Sequence, residues 1–403
     1  MRIECTCERG FHEMPTEVIE VSEHAVEKVA EILKDYHRIF MVSDENTYRV
    51  EGRRAEEILK ASGQLWKSVV LPVPTLPNEK TLGRILIEAG DAAQPYDINQ
   101  FSENPDYVLA VGGGSINDSC RMVAYRMGIP YGVCGTAPSM DGYASVVAPL
   151  LCKGAKYVYN CTIARHIIID LNVNAEAPEP LLLAGLGDLL GKYIALLDWE
   201  ISRDLTGEYY CENIANMVLE ATDKALMLAP KIKSRDIETI RAISEGLLIS
   251  GEGIAYCGSS RPASGTEHMI AQTWEIMDVQ AGRLPYLHGV EVGCGTFEAV
   301  EIFRRVYREI DDPRIKPLIE KYLPKFDALE AMRKEVHLPF TQTDHDFVIE
   351  GTLRGRTFRE RYTILQYLYD RGLLEDYAES AYKAMMEKHF YGTFKEQFPD
   401  WEE

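Results

Sequence analysis

The sequence predicts a protein of two domains, a doubly wound α/β domain over residues 1–175 and an all-α domain over residues 176–403. In the first part, short apolar runs alternate with segments of helical spacing, which is typical of a parallel sheet covered by helices. One of these apolar runs breaks into three consecutive glycines. From Leu181 onward almost every segment has helical spacing. At 403 residues the chain is long enough for two hydrophobic cores.

The elements of the α/β domain follow one another in a regular order. Apolar residues three and four apart predict helices, and continuous apolar runs predict buried strands. Two apolar runs flank Lys153-Gly154, which is typical of a β-hairpin. The predicted elements are a helix at 24–33, a strand at 38–42, a helix at 55–61, a strand at 65–73, a helix at 79–91, a strand at 107–111, a helix after the glycines, a strand at 130–134, the hairpin at 146–161 and a strand at 165–170.

The predicted boundary at residue 175 lies within residues 172–180, whose two prolines predict a linker or a helix entry. Helical spacing continues almost to the end of the chain. The predicted helices with the clearest spacing cover residues 214–226, 237–250, 365–374 and 378–388. Residues 313–324 are charged and bounded by prolines, so we expect a surface excursion there. The aromatic side chains between 390 and 401 are expected to pack in a core or an interface.

Bulk composition predicts a cytoplasmic enzyme. The net charge of −20 argues against a nucleic-acid or anionic membrane partner. The first residues do not resemble a signal peptide, and no stretch approaches the roughly 20 apolar residues of a membrane span. Nine scattered cysteines without a CxxC pair indicate reduced thiols. The Cys5-Thr-Cys7 pair could bind a metal, but the sequence gives this little support.

The glycine segment is the strongest single motif. An apolar strand, 107–111, runs into glycines 112–114 and Ser115, and a helical pattern follows. This layout directs free backbone N–H groups and the positive end of a helix at a phosphate, and glycine allows the close approach. A packing turn of the same composition is the alternative, and the segment does not match GxGxxG.

Two further constellations suggest chemistry. Residues 135–145 follow the strand at 130–134 with hydroxyls, glycines and Asp141, at a position where α/β sheets bind ligands, although a plain polar connection has the same composition. Asp188, His268 and His288 offer one carboxylate and two imidazoles, which suit a borderline divalent ion and leave positions open for water or substrate. Their spacing of 80 and 20 residues does not by itself distinguish ligands from ordinary polar residues.

Five ordered motifs together resemble a known family. GGGS-x-x-D, TAPSMDGYAS, GLGDLLGKY, SGTEH and LHGVEVG are similar to those of the sn-glycerol-1-phosphate dehydrogenases, most closely the bacterial AraM-like branch. That group belongs to the metal-dependent (iron-type) alcohol dehydrogenase superfamily, with glycerol dehydrogenase and dehydroquinate synthase. The resemblance spans roughly residues 15–300. It implies a dehydroquinate synthase-like fold, with an N-terminal nucleotide domain, a helical C-terminal domain and a metal in the cleft between them.

The resemblance also implies roles for single residues in binding NAD(P). The diphosphate would be held by the glycine loop, and other positions would line the nicotinamide side or contact the cofactor. Those positions are Gly112, Gly113, Gly114, Ser115 and Ile116 for the diphosphate, Thr136, Ala137, Pro138 and Ser139 for the nicotinamide side, and Ser145 for a further contact. Asp44 is expected to bind the adenosine ribose, where a carboxylate favours NAD over NADP.

For the metal and substrate, the resemblance implies that Asp188, His268 and His288 bind one divalent ion, Ni²⁺ or Zn²⁺ rather than Fe²⁺. Asp141 and Gln272 would bind substrate, so the candidate catalytic residues are Asp141, Asp188 and His268. Gln272 departs from the family pattern, which usually has a histidine four residues after the SGxEH histidine.

The implied activity is the interconversion of dihydroxyacetone phosphate and sn-glycerol 1-phosphate with NAD(P), in a homodimer or larger homo-oligomer without nucleic-acid or membrane partners. Three alternatives stay open. They are a glycerol-type or other alcohol dehydrogenase for an unphosphorylated or different polyol, a dehydroquinate synthase-like lyase, and a catalytically silent nucleotide-binding paralogue.

Overall fold

The computed structural model describes residues 1–90, 104–341 and 344–401. The chain forms two compact units. The first, here called the sheet unit, comprises Met1, Met14–Pro138 and Gly142–Ala177. The second, here called the helical unit, comprises Arg2–Glu13, Ser139–Asp141 and the chain from Pro178 onward. The chain therefore enters the helical unit twice before the main boundary.

The sheet unit is built on a six-stranded parallel sheet of order β3-β10-β7-β6-β4-β5. Its central strands are continuously apolar because helices cover both faces of such a sheet. The strands are β3 (Val18–Ser22), β4 (Ile39–Asp44), β5 (Leu65–Leu71), β6 (Tyr107–Gly112), β7 (Tyr131–Gly135) and β10 (His166–Asp170), with β8 (Val147–Cys152) and β9 (Ala155–Asn160) forming a separate hairpin.

The helices of the sheet unit begin at residues with recognisable caps. Asn78 accepts a hydrogen bond from the Thr81 backbone N–H at 3.0 Å and so starts the helix that follows. Gly128 ends the glycine-loop helix in the left-handed conformation. The helices are α1 (Val29–Ile32), α2 (Glu45–Thr47), α3 (Arg53–Ala61), α4 (Glu79–Glu88), α5 (Gly114–Met127) and α6 (Leu171–Ala175).

The sheet has a topological switch point between β4 and β6. From β4 the chain moves outward to β5, and it then crosses back to place β6 on the other side of β4. Crevices of this kind, at the carboxyl ends of the strands, are where open α/β sheets bind ligands. The glycine loop follows β6 directly and therefore lies at this crevice.

The helical unit contains a short antiparallel hairpin, β1 (Arg2–Glu4) with β2 (Phe11–Glu13), and a set of packed helices. The helices are α7 (Glu179–Leu190), α8 (Lys192–Thr206), α9 (Glu212–Leu228), α10 (Ile237–Cys257), α11 (Thr266–Gln280), α12 (His288–Glu309), α13 (Lys316–Val336), α14 (His345–Gly355), α15 (Ile364–Tyr369), α16 (Leu374–Glu387) and α17 (Thr393–Gln397). The stretch Glu179–Thr206 is long and apolar enough to cross a membrane, but 94% of its apolar window is buried inside the protein. The stretch consists of the core helices α7 and α8, and the expectation that no stretch is long and apolar enough for a membrane span is wrong.

Glycines allow three helices of this unit to pack at backbone contact. A Cβ at Gly289 in α12 would overlap the Ala184 carbonyl of α7, and a Cβ at Gly187 would overlap the Gly289 carbonyl. Farther along α12, a Cβ at Gly295 would lie 2.6 Å from the Glu267 carbonyl oxygen of α11. Because real Cβ atoms do not tolerate such distances, glycine is required at these crossings.

The structure confirms the predicted fold class and corrects several elements. The hairpin β1–β2 is absent from the prediction, so the helical unit is not purely α. The predicted surface excursion at 313–324 is wrong, because α13 begins at Lys316 and accommodates Pro324. The helix predicted at 365–374 ends at Tyr369. The helix predicted at 79–91 ends at Glu88, and position 91 lies outside the described residues. The predicted burial of the aromatic end is confirmed for Phe390, Tyr391 and Phe394.

Candidate active site

The glycine loop has the geometry of an anion cradle. A Cβ at Gly112 would lie 2.8 Å from Ile116, so this position requires glycine for packing. Gly113 is the N-cap of α5 and makes no side-chain cap, and a Cβ there would meet no atom within 4 Å. Space is therefore open beside Gly113 at the N-terminus of α5, where a phosphate could bind.

The chain after β7 lies beside this loop. The Thr136 backbone N–H donates to the Gly112 carbonyl at 3.4 Å. The Tyr143 hydroxyl donates to the Ala137 carbonyl at 2.9 Å and also contacts the Gly112 carbonyl at 3.3 Å. Ser145 is buried and accepts a hydrogen bond from the Val147 N–H. The structure thus brings Thr136, Ala137 and the glycine loop to one edge of the sheet.

The side chain of Arg121 on α5 holds the segment after β7 in place. Its guanidinium is fully buried, and it pairs with Asp118 at 2.8 Å and donates to the Tyr131 hydroxyl at 2.6 Å. It also donates to the Gly142 and Val147 carbonyls. One helix side chain therefore anchors both ends of the segment 142–147, a role that the sequence did not reveal.

Other predicted cofactor positions have different surroundings. Asp44 lies at the end of β4, next to the switch point, but its carboxylate accepts from the Thr47 N–H at 2.8 Å in a capping box. The Asp44 carboxylate therefore has a structural role as a helix cap, and its contact with a ribose stays a prediction. Pro138 belongs to the sheet unit, and Ser139 belongs to the helical unit together with Asp141.

The three predicted metal ligands converge within the helical unit. One ligand atom each from Asp188 on α7, His268 on α11 and His288 on α12 lies within 4.8 Å of the other two. The Asp188 Oδ1 to His268 Nε2 distance is 3.5 Å. Ligands about 2.0–2.1 Å from a tetrahedral ion are separated by roughly 3.4 Å, so this spacing fits a metal. The glycine contacts of α12 with α7 and α11 produce the convergence.

Two carboxylates orient the histidines. His268 Nδ1 lies 2.7 Å from Glu267 Oε1, and His288 Nδ1 lies 2.7 Å from Glu275 Oε1. A carboxylate on Nδ1 holds the proton there and leaves Nε2 as a lone-pair donor, which is the usual arrangement around metal-bound histidine. The donor set therefore fits a divalent cation. Neither glutamate was predicted, although Glu267 is part of the SGTEH motif.

A buried lysine joins the metal-ligand candidate Asp188 to the substrate-binding candidate Asp141. The Lys192 ammonium lies 2.7 Å from Asp188 Oδ1 and 2.9 Å from Asp141 Oδ2, and it donates to the Ala263 carbonyl. Ser250 donates to the same Asp141 oxygen at 2.9 Å, and the Asp141 N–H donates to Asp188 at 3.0 Å. Asp141 is thus fixed by three contacts.

The opposite charges in this network shift the pKa values of Asp188 and Lys192. Burial alone raises the pKa of Asp188, but the Lys192 charge and the His268 contact outweigh it and hold the pKa well below its usual range. Burial lowers the pKa of Lys192, and the two neighbouring carboxylates reverse this and raise it. The cluster therefore contains a permanent cation and a permanent carboxylate near neutral pH.

Gln272 lies one turn after His268 and is buried. Its Oε1 is 3.4 Å from the Arg359 guanidinium, which also donates to Ser260, as does Arg361. Burial lowers the pKa of Arg359, although the charge of Asp141 acts in the opposite direction. Burial and the charges of neighbouring arginines lower the pKa of Arg361 to about 9. Within the described ranges, no carboxylate forms an ion pair with either guanidinium. Neither arginine was predicted, since both lie beyond the recognised motifs.

Comparison with known proteins decides the family. A glycerol-1-phosphate dehydrogenase (NAD(P)+) from Bacillus velezensis is 34% identical over 89% of this chain and 92% of its own length. The chain belongs to the glycerol-1-phosphate dehydrogenase family. The enzyme of the same name from Bacillus licheniformis is 30% identical over 92% of this chain and 93% of its own length. Residues 20–178 of this family member also match the profile of iron-containing alcohol dehydrogenases.

Solved structures agree on the fold. Glycerol dehydrogenase from Schizosaccharomyces pombe has a TM-score of 0.67 at 19% identity and covers 99% of this chain and 95% of its own. An iron-containing alcohol dehydrogenase from Thermococcus thioreducens has a TM-score of 0.68 at 14% identity, with coverage of 92% and 99%. This family member therefore has the fold of the iron-containing alcohol dehydrogenases.

Gly113→Val tests the anion cradle. Because a Cβ at this position meets no protein atom, the variant should fold normally and obstruct only a bound diphosphate. We expect the NADH dissociation constant to rise at least tenfold, about 1.4 kcal/mol, with unchanged metal content. Fluorescence titration measures the affinity, and Gly83→Ala, at another uncrowded glycine, is the control. Unchanged NADH affinity in Gly113→Val would identify the loop as a packing turn.

Gly289→Ala tests whether the helix crossing positions the ligands. The added methyl group must displace α12 from α7, which should cost about 1–3 kcal/mol and separate His288 from Asp188. We expect lower thermal stability together with lower metal occupancy. Gly83→Ala again serves as control, since its Cβ would meet nothing within 4 Å. Full metal occupancy in a destabilised variant would show that the crossing matters for folding alone.

Proposed function

We propose that this protein is a metal- and NAD(P)-dependent dehydrogenase that interconverts dihydroxyacetone phosphate and sn-glycerol 1-phosphate. The observation that carries the proposal is the convergence of Asp188, His268 and His288 beside Asp141 in a member of this family. A binding module without chemistry would have no use for three oriented ligands next to a fixed carboxylate. The relatives named above carry this activity in their names.

Asp188, His268 and His288 would hold one divalent ion, and the set of one carboxylate and two imidazoles suits Ni²⁺ or Zn²⁺. When bound, the ion would act as a Lewis acid toward the ketone oxygen, and the dinucleotide would exchange the hydride. Glu267 and Glu275 keep both imidazoles in the ligating tautomer. Gly113 and the N-terminus of α5 would hold the dinucleotide diphosphate.

Asp141 would orient the substrate. Lys192 and Ser250 hold its Oδ2, so we expect Oδ1 to accept a hydrogen bond from a substrate hydroxyl. Lys192 is a positioning residue, because its charge fixes Asp141 and Asp188 together. The ammonium also lowers the pKa of Asp188 and so keeps that carboxylate ionised.

The phosphate of the substrate would bind to Arg359 and Arg361. These two guanidiniums share Ser260 and have lowered pKa values, so an anion would relieve an unbalanced positive charge. Arg359 also lies beside Gln272, where relatives usually have histidine. The positive charge that a histidine could supply is thus available from a neighbouring arginine, which supports a phosphorylated substrate.

The physiological setting follows from the chemistry of the reaction. A soluble sugar-phosphate substrate and a nicotinamide cofactor indicate a cytoplasmic enzyme with small-molecule partners, and we expect a homodimer or larger homo-oligomer. Asp44 at the switch point would favour NAD over NADP. A polyol dehydrogenase for an unphosphorylated ketone is the second candidate, favoured by the glutamine at position 272.

The direct test is NADH oxidation by the purified protein with dihydroxyacetone phosphate or dihydroxyacetone as the acceptor. We expect turnover with the phosphorylated ketone and the sn-1 enantiomer as product, determined with a stereospecific dehydrogenase. Preference for dihydroxyacetone would favour the second candidate. Absence of NADH turnover with either ketone in metal-replete protein would contradict the proposed function.

Arg359→Gln tests the phosphate site. Removal of one charge-assisted bond to phosphate should raise KM for dihydroxyacetone phosphate by about 10- to 100-fold, equivalent to about 1.5–3 kcal/mol, with a smaller change in kcat. Activity on dihydroxyacetone should be unaffected. Arg356→Gln is the matched control, since Arg356 pairs with Gln366 on the same segment. An equal loss on both ketones would place Arg359 outside the phosphate site.

Gln272→His tests the departure from the family. A histidine here would be buried next to Arg359, and both effects disfavour its charged form, so its pKa should lie below about 6.5. We expect kcat/KM for dihydroxyacetone phosphate to acquire a new titration in that range and to increase on the acidic side. The measurement is a pH profile of wild type and variant from about pH 5 to pH 9. Superimposable profiles would show that position 272 does not contact substrate.

A further inference from the structure

A second cluster of metal-ligating side chains lies in the helical unit. It joins the N-terminal hairpin to the start of α9 and consists of Cys5, Cys7, His12 and Cys211. One ligand atom of each residue lies within 4.8 Å of the other three. His12 and Cys211 are buried, and both other thiols are partly buried. None of these residues takes part in the proposed dehydrogenase chemistry.

The distances between these atoms fit a tetrahedral ion. The Cys5 and Cys211 sulfurs are 3.5 Å apart, and His12 Nε2 lies 3.4 Å from the sulfurs of both Cys7 and Cys211. Zinc bonds of about 2.3 Å to sulfur and about 2.0–2.1 Å to nitrogen give tetrahedral edges of roughly 3.8 Å between sulfurs and roughly 3.6 Å between sulfur and nitrogen. The observed separations are within a few tenths of an ångström of these edges.

The surroundings of His12 and Cys5 favour these two groups as ligands. His12 Nδ1 lies 3.0 Å from the Tyr256 carbonyl, so Nδ1 carries the proton and Nε2 presents its lone pair to the sulfurs. The Cys7 N–H and the Asn213 amide both donate to the Cys5 sulfur, at 3.4 and 3.3 Å. Donors of this kind stabilise thiolates around a metal.

Backbone hydrogen bonds close a turn between Cys5 and Gly10. The Cys5 N–H donates to the Gly10 carbonyl at 2.9 Å, and the Gly10 N–H donates to the Cys7 carbonyl at 3.0 Å, with Gly10 in the left-handed conformation. Cys211 is the N-cap of α9, where the helix dipole favours a thiolate. Two separate segments thus supply ligands from rigid positions.

We propose that Cys5, Cys7, His12 and Cys211 form a structural zinc site, distinct from the metal site of Asp188, His268 and His288. Three thiolates and one imidazole fill all four tetrahedral positions, which leaves none for substrate. Thiolate sulfur selects zinc over the harder divalent ions, and the thiols lose their protons on binding. The ion ties the hairpin of three-residue strands to α9, and such a hairpin is marginal without further support.

The test is metal analysis of protein purified without a polyhistidine tag. Wild type should contain two ions per chain, and both Cys5→Ser/Cys7→Ser and His268→Ala should contain one. The control Cys152→Ser/Cys161→Ser removes two thiols from the sheet unit and should retain two ions. Cys5→Ser/Cys7→Ser should also melt at a lower temperature and keep its dihydroxyacetone phosphate reductase activity once the other site is loaded.

Cobalt substitution gives a readout that does not depend on the cysteine variant folding. Wild type and His268→Ala loaded with Co²⁺ should show the sulfur-to-cobalt charge-transfer absorption of a tetrahedral thiolate site. Absence of this band in both proteins would overturn the proposal, as would a disulfide between Cys5 and Cys211 in protein purified under reducing conditions. Equal metal content in wild type and Cys5→Ser/Cys7→Ser would equally contradict it.

Discussion

The buried ammonium of Lys192 is the charge on which the candidate active site depends. It lies within 3 Å of both Asp141 and Asp188, so it offsets the cost of placing one buried and one partly buried carboxylate side by side. Removing one partner of such a buried network typically costs about 3–5 kcal/mol. The same charge fixes a metal-ligand candidate and a substrate-binding candidate relative to each other. Lys192 is the first residue of α8 and lies four residues after Asp188 of α7, so the short connection at Gly191 brings the two charges together.

The helices can supply this geometry only because glycines bring them together. The ligand candidates Asp188 and His288 are adjacent in sequence to Gly187 and Gly289, the two glycines at the crossing of α7 and α12. Small residues at the contact bring side chains from different helices within reach of one ion. Gly187 in the GLGDLLGKY motif and Gly289 in the LHGVEVG motif therefore shape the candidate site by their size.

Much of this architecture could be predicted from the sequence, because continuous apolar strands and glycine turns have strong local signals. The ligand set came from family resemblance, since ligands 80 residues apart have no local signature. The residues that were missed act through tertiary contacts. Arg359 reaches Gln272 from a distant segment, and Cys211 meets Cys5 across about two hundred residues. The helix over Pro324 was missed because packing outweighed a breaker residue.

The measurement that tests the account most directly is metal-dependent reduction of dihydroxyacetone phosphate by wild type and His268→Ala. Chelated wild type should lose NADH turnover and regain it when Zn²⁺ or Ni²⁺ is restored. His268→Ala should remain folded, judged by circular dichroism, and stay inactive after the same metal addition. Full activity in the chelated enzyme, or in the histidine variant, would contradict a metal site formed by Asp188, His268 and His288.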